Sequence, residues 1–518
     1  MSTNDYQAAY QYRNELLEHL KKWLRITRLL DKKGPNNGGE DEANYAISFF
    51  PYWMLTQDED AKAHFETMFT DLIQWVETDC YQGYEPVAEA HHGTEPFLFF
   101  LPRYAGLFPQ VQAAQDTIIQ AANFIGNWVP GAPIWYDYDH SRFVSIALGA
   151  KVVDCSPKKQ IEIADQVRFI HIALSAYTLS QDEKYLDWAV DYANHWAGLI
   201  NTHPGTQMPR AFYLDGTPVE AKIGDKEADN LLASHHHAEN DPLSGVENLL
   251  ASGVVHALGD VYRLRPEPTL KEAAKRIIET LLDSLLDPYG DPAVDAIRHY
   301  RLAFRDTSLD SEMVQQLKNI EFDERELFLT LPQYARRTEL GVGRRADMLH
   351  WYVRQDDETL AKFRMPSVMA LVLAFDLTGD PIYAKHAFRI AAGKLGTAIR
   401  GLRSGREHAD MGSAVCSVAS GHGRNWMCGA VTSSLFQLTL GGWIQNGFLH
   451  PLISLERSDV RDNLFTLVQT DIEQSTLHFF NPTQDERTSY WQGLAGLDRA
   501  QHKQTLQPAE IQVMNMAH

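Results

Sequence analysis

Four cysteines in 518 residues, Cys80, Cys155, Cys416 and Cys428, are too few and too scattered for a disulfide framework, and none forms a CxxC. They are expected to be free thiols in a reducing compartment. No apolar run reaches the roughly 18 residues of a membrane span. The first stretch, MSTNDYQAAYQYRNELLEHL, lacks a basic region followed by an apolar one, so no secretory leader is expected and a cytoplasmic location is. Long basic runs are missing too. With 47 Lys and Arg against 68 Asp and Glu, the net charge is −21, and neither nucleic acid nor an anionic membrane is an expected partner. No GxGxxG, P-loop, HExxH or GxSxG stands in a usable context, which removes the usual signs of nucleotide, zincin and serine-elbow chemistry.

What is present is apolar bulk with helical spacing. The chain is 44% hydrophobic and 11% aromatic, ample for a large core. Residues 5–30 place Leu16, Leu17, Leu20, Trp23 and Leu24 on one side of a first helix, and KKGPNNGGEDE over 32–42 breaks it. A step then recurs. Trp53-x-Leu55-Thr56-Gln57-Asp58 leads into a helix carrying Phe65. Tyr177-x-Leu179-Ser180-Gln181-Asp182 leads to Tyr185 and Ala189. Tyr262-x-Leu264-Arg265-Pro266-Glu267 leads to Leu270 and Ala274, and Phe375-x-Leu377-Thr378-Gly379-Asp380 leads to Tyr383 and Ala387. In each, one helix ends on an aromatic and a Leu, a short turn with an acid caps the next, and a large residue then a small one seat that helix on its neighbour. This is an array of helical hairpins.

Between hairpins run long segments rich in His, Arg, Tyr, Trp, Gly and Pro: 85–96, 129–143, 201–218 and 404–426. Long connections in a compact protein tend to carry function. The stretch from Ser234 holds His235, His236, His237, Glu239, Asn240 and Asp241, after which Pro242, Ser244 and Glu247 are expected to open and cap a helix bearing Val246, Leu250, Val254, Leu258 and Val261 on one face. A short β-hairpin is expected around Asp215-Gly216, and a second over 475–491 around Asn481-Pro482.

The recurring Leu-[Ser/Thr]-x-Asp-x-x-Tyr-x-x-x-Ala step resembles the (α/α)-toroid carbohydrate-active enzymes, which include polysaccharide lyases, inverting glycosidases and sugar epimerases. The resemblance is one of architecture over residues 45–455, and no family-defining catalytic motif accompanies it. It implies an all-α fold, a toroid of six or seven helical hairpins over residues 1–455 with long functional loops and one or two short β-hairpins. Residues 456–518 are then an extension packed on it, the last 20 or so a loose tail. It also implies a sugar-binding cavity at the end where loops lead into inner helices.

Four loop groups are candidates to meet there. His92 stands at the mouth of an aromatic segment, and a polar His can act as base or acid. Trp135, Tyr136, His140 and Arg142 combine a stacking platform, a phenol that can act as an acid, an imidazole and a cation within eight residues. His236, Glu239 and Asn240 offer a base or acid and an amide that can hold a substrate carboxylate. His422, Arg424, Asn425 and Trp426 lie between glycines that allow close backbone approach. No metal or other cofactor is expected, because three consecutive His cannot readily aim at one ion from a helix or strand. A wealth of His, Arg and Tyr, set against few paired carboxylates, favours a lyase that cleaves uronic-acid oligosaccharides by β-elimination. His236, His92 or His422 would be the base, Tyr136 or Tyr138 the acid, and Arg142, Asn240, Arg424 and Asn425 the carboxylate clamp. The alternatives are an inverting glycosidase, which needs two carboxylates flanking a water, a sugar epimerase, and a non-catalytic helical binding scaffold. The oligomeric state stays open.

Overall fold

The computed structural model describes residues 2–28, 40–78, 80, 83–86, 94, 96–203, 211–218, 249–250, 252–286, 291–325, 327–330, 350–354, 359–363, 365–401, 433–456, 463–494, 497 and 499–517. The described chain is predominantly helical. Helix α1 (Thr3–Arg28) buries Leu16, Leu17, Leu20, Trp23 and Leu24, the stripe that the sequence predicts. Helices α2 (Glu40–Thr56), α3 (Glu59–Thr78), α4 (Leu101–Leu107), α5 (Gln112–Ile125), α6 (Arg168–Ser180) and α7 (Glu183–Thr202) follow. Then come α8 (Val254–Leu264), α9 (Pro268–Leu281), α10 (Asp291–Ala303), α11 (Asp310–Leu317), α12 (Val368–Thr378) and α13 (Pro381–Gly401).

The recurring step is built by local chemistry. At its first, second and fourth copies the turn residue, Gln57, Gln181 or Gly379, takes a left-handed backbone, which breaks the helix. The next acid then caps the new helix: Asp58 accepts from the Asp60 and Ala61 amides, Asp182 from Lys184, and Asp380 from Ile382. The third copy has no such cap at Glu267, and its Arg265 instead reaches across to Glu183 and Asp187 of α7. The helix expected to run through Val261 is interrupted: residues 249–250 are helical, Gly253 is left-handed (φ 65°) and α8 begins at Val254, while the expected opening at Pro242 and Ser244 lies outside the described residues.

Alternate helices are neighbours: α6 packs on α8, α8 on α10 and α10 on α12, while α5, α7, α9 and α13 cover them. Helix α1 packs along α13, so the first and last long helices meet. Helices α12 and α6 are apolar on nearly all sides, as an enclosed helix must be. Two-stranded ladders join β1 (Tyr136–Asp137) to β2 (Arg142–Phe143) and β3 (Ile161–Ile163) to β4 (Ala211–Tyr213). After β4 the Asp215-Gly216 turn forms as predicted, with Gly216 left-handed and Thr217 bonded to Asp215. A three-stranded antiparallel sheet, β5 (Leu327–Thr330), β6 (His350–Arg354) and β7 (Leu360–Phe363), precedes α12.

An all-α reading is too narrow for the C-terminal part. β8 (Trp443–Gln445) and β9 (Phe448–His450) form a hairpin. β10 (Ile453–Leu455), β13 (Arg487–Gly493) and β14 (Gln501–Leu506) make one sheet, and β11 (Phe465–Gln469), β12 (Gln474–Phe480) and β15 (Ile511–Ala517) another. Strands do flank Asn481-Pro482, but β12 and β13 are not a hairpin: they belong to different sheets, and the turn crosses between them. The last residues are not a loose tail either. β15 pairs with β12 from Gln474↔Ala517 to Phe480↔Ile511. Alternation explains the layering. His478 and Phe480 face Tyr6 and Phe375 of the helical body, whereas Phe479 faces Trp491 of the other sheet, ring centroids 6.1 Å apart. Among the described residues no helix is long and apolar enough to cross a membrane. Cys80 and Cys155 are free thiols.

Candidate active site

Two buried helices carry charge at positions four residues apart: α8 has His256 and Asp260, and α10 has Asp291, Asp295 and His299; α12 adds the single buried Asp376. Such spacing puts each pair on one helix face, one turn apart. The faces meet. His256 Nε2 lies 3.0 Å from Asp295 Oδ2, and Gln437 Nε2 donates to Asp295 Oδ1 over 3.4 Å. One turn deeper, His299 Nε2 stands 3.3 Å from Asp260 Oδ1, off the hydrogen-bond axis but close enough for electrostatic pairing. The two imidazoles lie with centroids 4.2 Å apart, their planes tilted by 31°. Gly259 permits this approach: a Cβ there would stand 2.7 Å from Ala303 Cβ and 3.0 Å from His299 Nε2.

Helix α6 adds His171, whose Nε2 is 3.1 Å from the Gly253 carbonyl at the start of α8. Beside it Ser252 donates to Asp165 over 2.8 Å. The floor is the β8–β9 hairpin, where the Asn446 amide donates to Asp260 Oδ2 over 2.7 Å and its side chain reaches Thr178. Thus the cluster is closed at the C-terminal ends of α6, α8 and α10. The N-terminal ends are where the long segments enter: 87–93 precede the Pro96–Phe100 turn and α4, 219–248 precede α8, and 402–432 precede the Ser433–Leu438 turn that carries Gln437.

Electrostatics grade with depth. Burial lowers His171 to about 3, the largest influence there, with Asp260 opposing it. Burial, then repulsion from His256, lowers His299 to about 4 against the pull of Asp260. Burial pushes Asp260 up, but His299, Arg263 and the Asn446 amide together hold it below the usual carboxylate range. At neutral pH the deep pair is therefore a neutral imidazole beside a carboxylate. His256 and Asp295 keep side-chain exposures of 8% and 9%, the outward members of the cluster. The other buried carboxylates are committed: Asp376 to Arg298 at 2.7 Å, Asp291 to the Met369 amide and Lys394. Among the described residues no group of three His, Cys, Asp or Glu is arranged to hold a metal ion.

Four of the predicted site residues are described. Trp135 is fully buried among Tyr84, Phe124 and Phe169 and donates its Nε1–H to the Gly149 carbonyl. It is a core residue and offers no platform to a sugar, a correction that burial imposes. Tyr136 is buried against Trp188 and Tyr192, its hydroxyl donating to Asp191 over 2.8 Å, and burial followed by Asp191 pushes the phenol far up. His140 is exposed and bound to Asp137 at 2.7 Å; Arg142 lies 4.0 Å from the same carboxylate. These three sit with α7 and the β1–β2 hairpin. His92, His236, Glu239, Asn240, His422, Arg424, Asn425 and Trp426 lie outside the described residues. His171, His256, Asp260, Asp295, His299 and Gln437 escaped sequence reasoning; the signal that could have found His256, Asp260, Asp295 and His299 is paired charge at i, i+4 within a helix.

No family model matches the chain, and no curated protein matches it. Solved structures do. An unsaturated glucuronyl hydrolase from Bacillus sp. GL1, responsible for the degradation of glycosaminoglycan, matches at 11% identity and a TM-score of 0.42, over 62% of this chain and 86% of that one. The unsaturated glucuronyl hydrolase from Streptococcus agalactiae matches at 13% identity and 0.42, over 62% and 83%. Cellobiose 2-epimerase from Bacillus thermoamylovorans matches at 13% identity and 0.37, over 64% and 83%. These three solved structures are of carbohydrate-active enzymes.

Proposed function

We propose that this chain is a carbohydrate-active enzyme built on a toroid of helical hairpins, and that it removes a proton from a uronic-acid sugar, cleaving the glycosidic bond by β-elimination. The observation that carries the reading is the His256–Asp295–Gln437 constellation at the N-terminal ends of inner helices. An imidazole held by a carboxylate is suited to act as a general base near neutral pH. Asp295 Oδ2, 3.0 Å from Nε2, would orient the imidazole and stabilise the charge that it gains on taking a proton. Gln437 fixes the carboxylate in turn, so Asp295 and Gln437 are positioning residues.

The reaction has three requirements. The sugar carboxylate is neutralised, which acidifies the C5–H. His256 takes that proton, and the electron pair forms the C4–C5 double bond as the C4–O bond breaks. An acid then delivers a proton to the leaving oxygen. Asn240, Arg424, Asn425 and Arg142 are the proposed carboxylate partners, Tyr136 the proposed acid, and His92, His236, His140 and His422 the further proton-transfer candidates. Glu239 and Trp426 are assigned to sugar binding. In chain order the segment of His236, Glu239 and Asn240 precedes α8, and that of His422, Arg424, Asn425 and Trp426 precedes the Ser433–Leu438 turn that carries Gln437, whereas Tyr136, His140 and Arg142 sit with α7 and the β1–β2 hairpin. Hydrolysis by inversion is less well supported, since each described carboxylate of the cluster already serves a His, Arg or backbone amide.

The test is a screen of the purified protein against pectin, alginate, glucuronan and glycosaminoglycan oligosaccharides, reading double-bond absorbance and new reducing ends together. The reading expects both to rise. New ends without absorbance would replace elimination with hydrolysis.

A further inference from the structure

At the opposite end of the helical body from the His256–Asp295 mouth lies a cleft of about 280 Å³, lined by Arg263, Ala303, Arg305, Trp443, Thr470 and Asp471. It forms where the C-terminal ends of α8 and α10 meet the β8 strand and the β11–β12 turn. We propose that this cleft is a second binding site, separate from the candidate active site, for a monosaccharide carrying an anionic group.

Three observations converge. First, two cations face the cleft with less anionic company than they need. Arg263 binds Gln445 Oε1 over 2.7 Å, and its guanidinium stands 5.7 Å from the Trp443 ring. Arg305 is exposed and makes no ion pair among the described residues, yet it lies near enough to repel Arg263. Burial and that repulsion both lower Arg263, with Asp260 only partly opposing them. An anion between the two would relieve the repulsion. Asp471 also lines the cleft, but its carboxylate is held by Arg301 at 2.7 Å.

Second, Thr470 is 1% exposed, and among the described residues its hydroxyl has no hydrogen-bond partner. Buried hydroxyls are nearly always paired, so one left at the wall of a cleft points to a ligand group. Third, Trp443 forms a half-buried aromatic wall of the cleft, its ring stacked with His450 at 6.2 Å. Cations, a hydroxyl and an aromatic ring together match a sugar bearing a carboxylate or phosphate. The volume, at the low end of small-molecule pockets of roughly 300–1,000 Å³, suits one sugar ring and not a chain. Arg305 holds a left-handed backbone (φ 50°), which Asn also tolerates.

The experiment titrates the full chain with glucuronate, glucose 6-phosphate, glucose and inorganic phosphate, reading tryptophan fluorescence and calorimetric heat. Saturable binding of one or both acidic sugars is expected, at least tenfold tighter than that of glucose or phosphate. Arg305→Asn and Thr470→Val should each weaken it at least fivefold with the melting temperature unchanged, while His256→Ala leaves it intact. Thr470→Val removes a hydroxyl that has no partner among the described residues, so no bond described within the protein is lost with it. No saturation with either acidic sugar, equal affinity for phosphate alone, or binding lost in His256→Ala and retained in Arg305→Asn would each overturn the proposal. The failure of the elimination screen would leave this result untouched.

Discussion

Replacing Arg298 by Met is expected to destabilise the protein by about 3–5 kcal/mol at neutral pH, the cost of leaving a buried charge without its partner. Arg298 and Asp376 side chains are each 3% exposed, and Nε meets Oδ2 at 2.7 Å. The other Asp376 oxygen accepts from the Thr470 amide over 2.9 Å, and Arg298 Nη1 reaches the Gly442 carbonyl over 3.2 Å. The pair thus ties α10 and α12 to the C-terminal strands. Burial already raises the Asp376 carboxyl above its usual range, with Arg298 pulling it back, so removal of Arg298 raises it further. The sign follows. A carboxyl raised in the folded state prefers its protonated form there, so the variant's deficit is full above that raised value and shrinks as pH falls through it. Urea unfolding of wild type and variant at matched pH values measures this. The double variant Arg298→Met/Asp376→Leu should regain most of the loss, because a well-packed apolar pair replaces a buried ion pair at little cost. A loss under ~1 kcal/mol, or a double variant no better than the single, would refute the reasoning.

Asp295→Asn should lower kcat by roughly 10²–10⁴ with KM little changed and shift the acid limb of the pH–rate profile, since the imidazole loses its orienting carboxylate; an unchanged profile would mean a purely structural role. His478 and His299 are each lowered to about 4 by burial first of all, against an ordinary value of 6.5. Both fold neutral and would take up protons when unfolded, so their contribution is full above 6.5 and is lost as pH falls toward 4; a flatter stability–pH curve in His478→Gln checks this. Truncation after Gln507 removes β15 and uncovers β12, so it should give aggregation or a large drop in melting temperature, whereas a true tail would be dispensable. Tyr136→Phe should cost about 1–2 kcal/mol in urea unfolding through the lost bond to Asp191, and if the phenol is the acid it should also abolish elimination while leaving substrate binding.

The helical hairpins were legible because their signals are local. A left-handed turn residue and a capping Asp are read three or four residues at a time, and three of four copies follow that rule. The C-terminal strands were half legible. Alternation over 474–480 and 487–493 marks strands, but β12 found its partner in β15, some thirty residues on, and no local pattern specifies that choice. The Trp135 misreading has the same origin: an aromatic in a polar run looks like a platform until the packing of Tyr84, Phe124 and Phe169 closes over it. The His256–Asp295 and His299–Asp260 pairs arise only when α8 and α10 approach across Gly259, so tertiary contact made the cluster.

The central claim, proton abstraction from a uronate by His256, is tested most directly by following double-bond absorbance on uronate oligosaccharides with wild type, His256→Ala and Asp295→Asn side by side. The account expects absorbance with wild type, none with His256→Ala, and a rate reduced by orders of magnitude with Asp295→Asn, all three folded alike. Elimination undiminished in His256→Ala would contradict it.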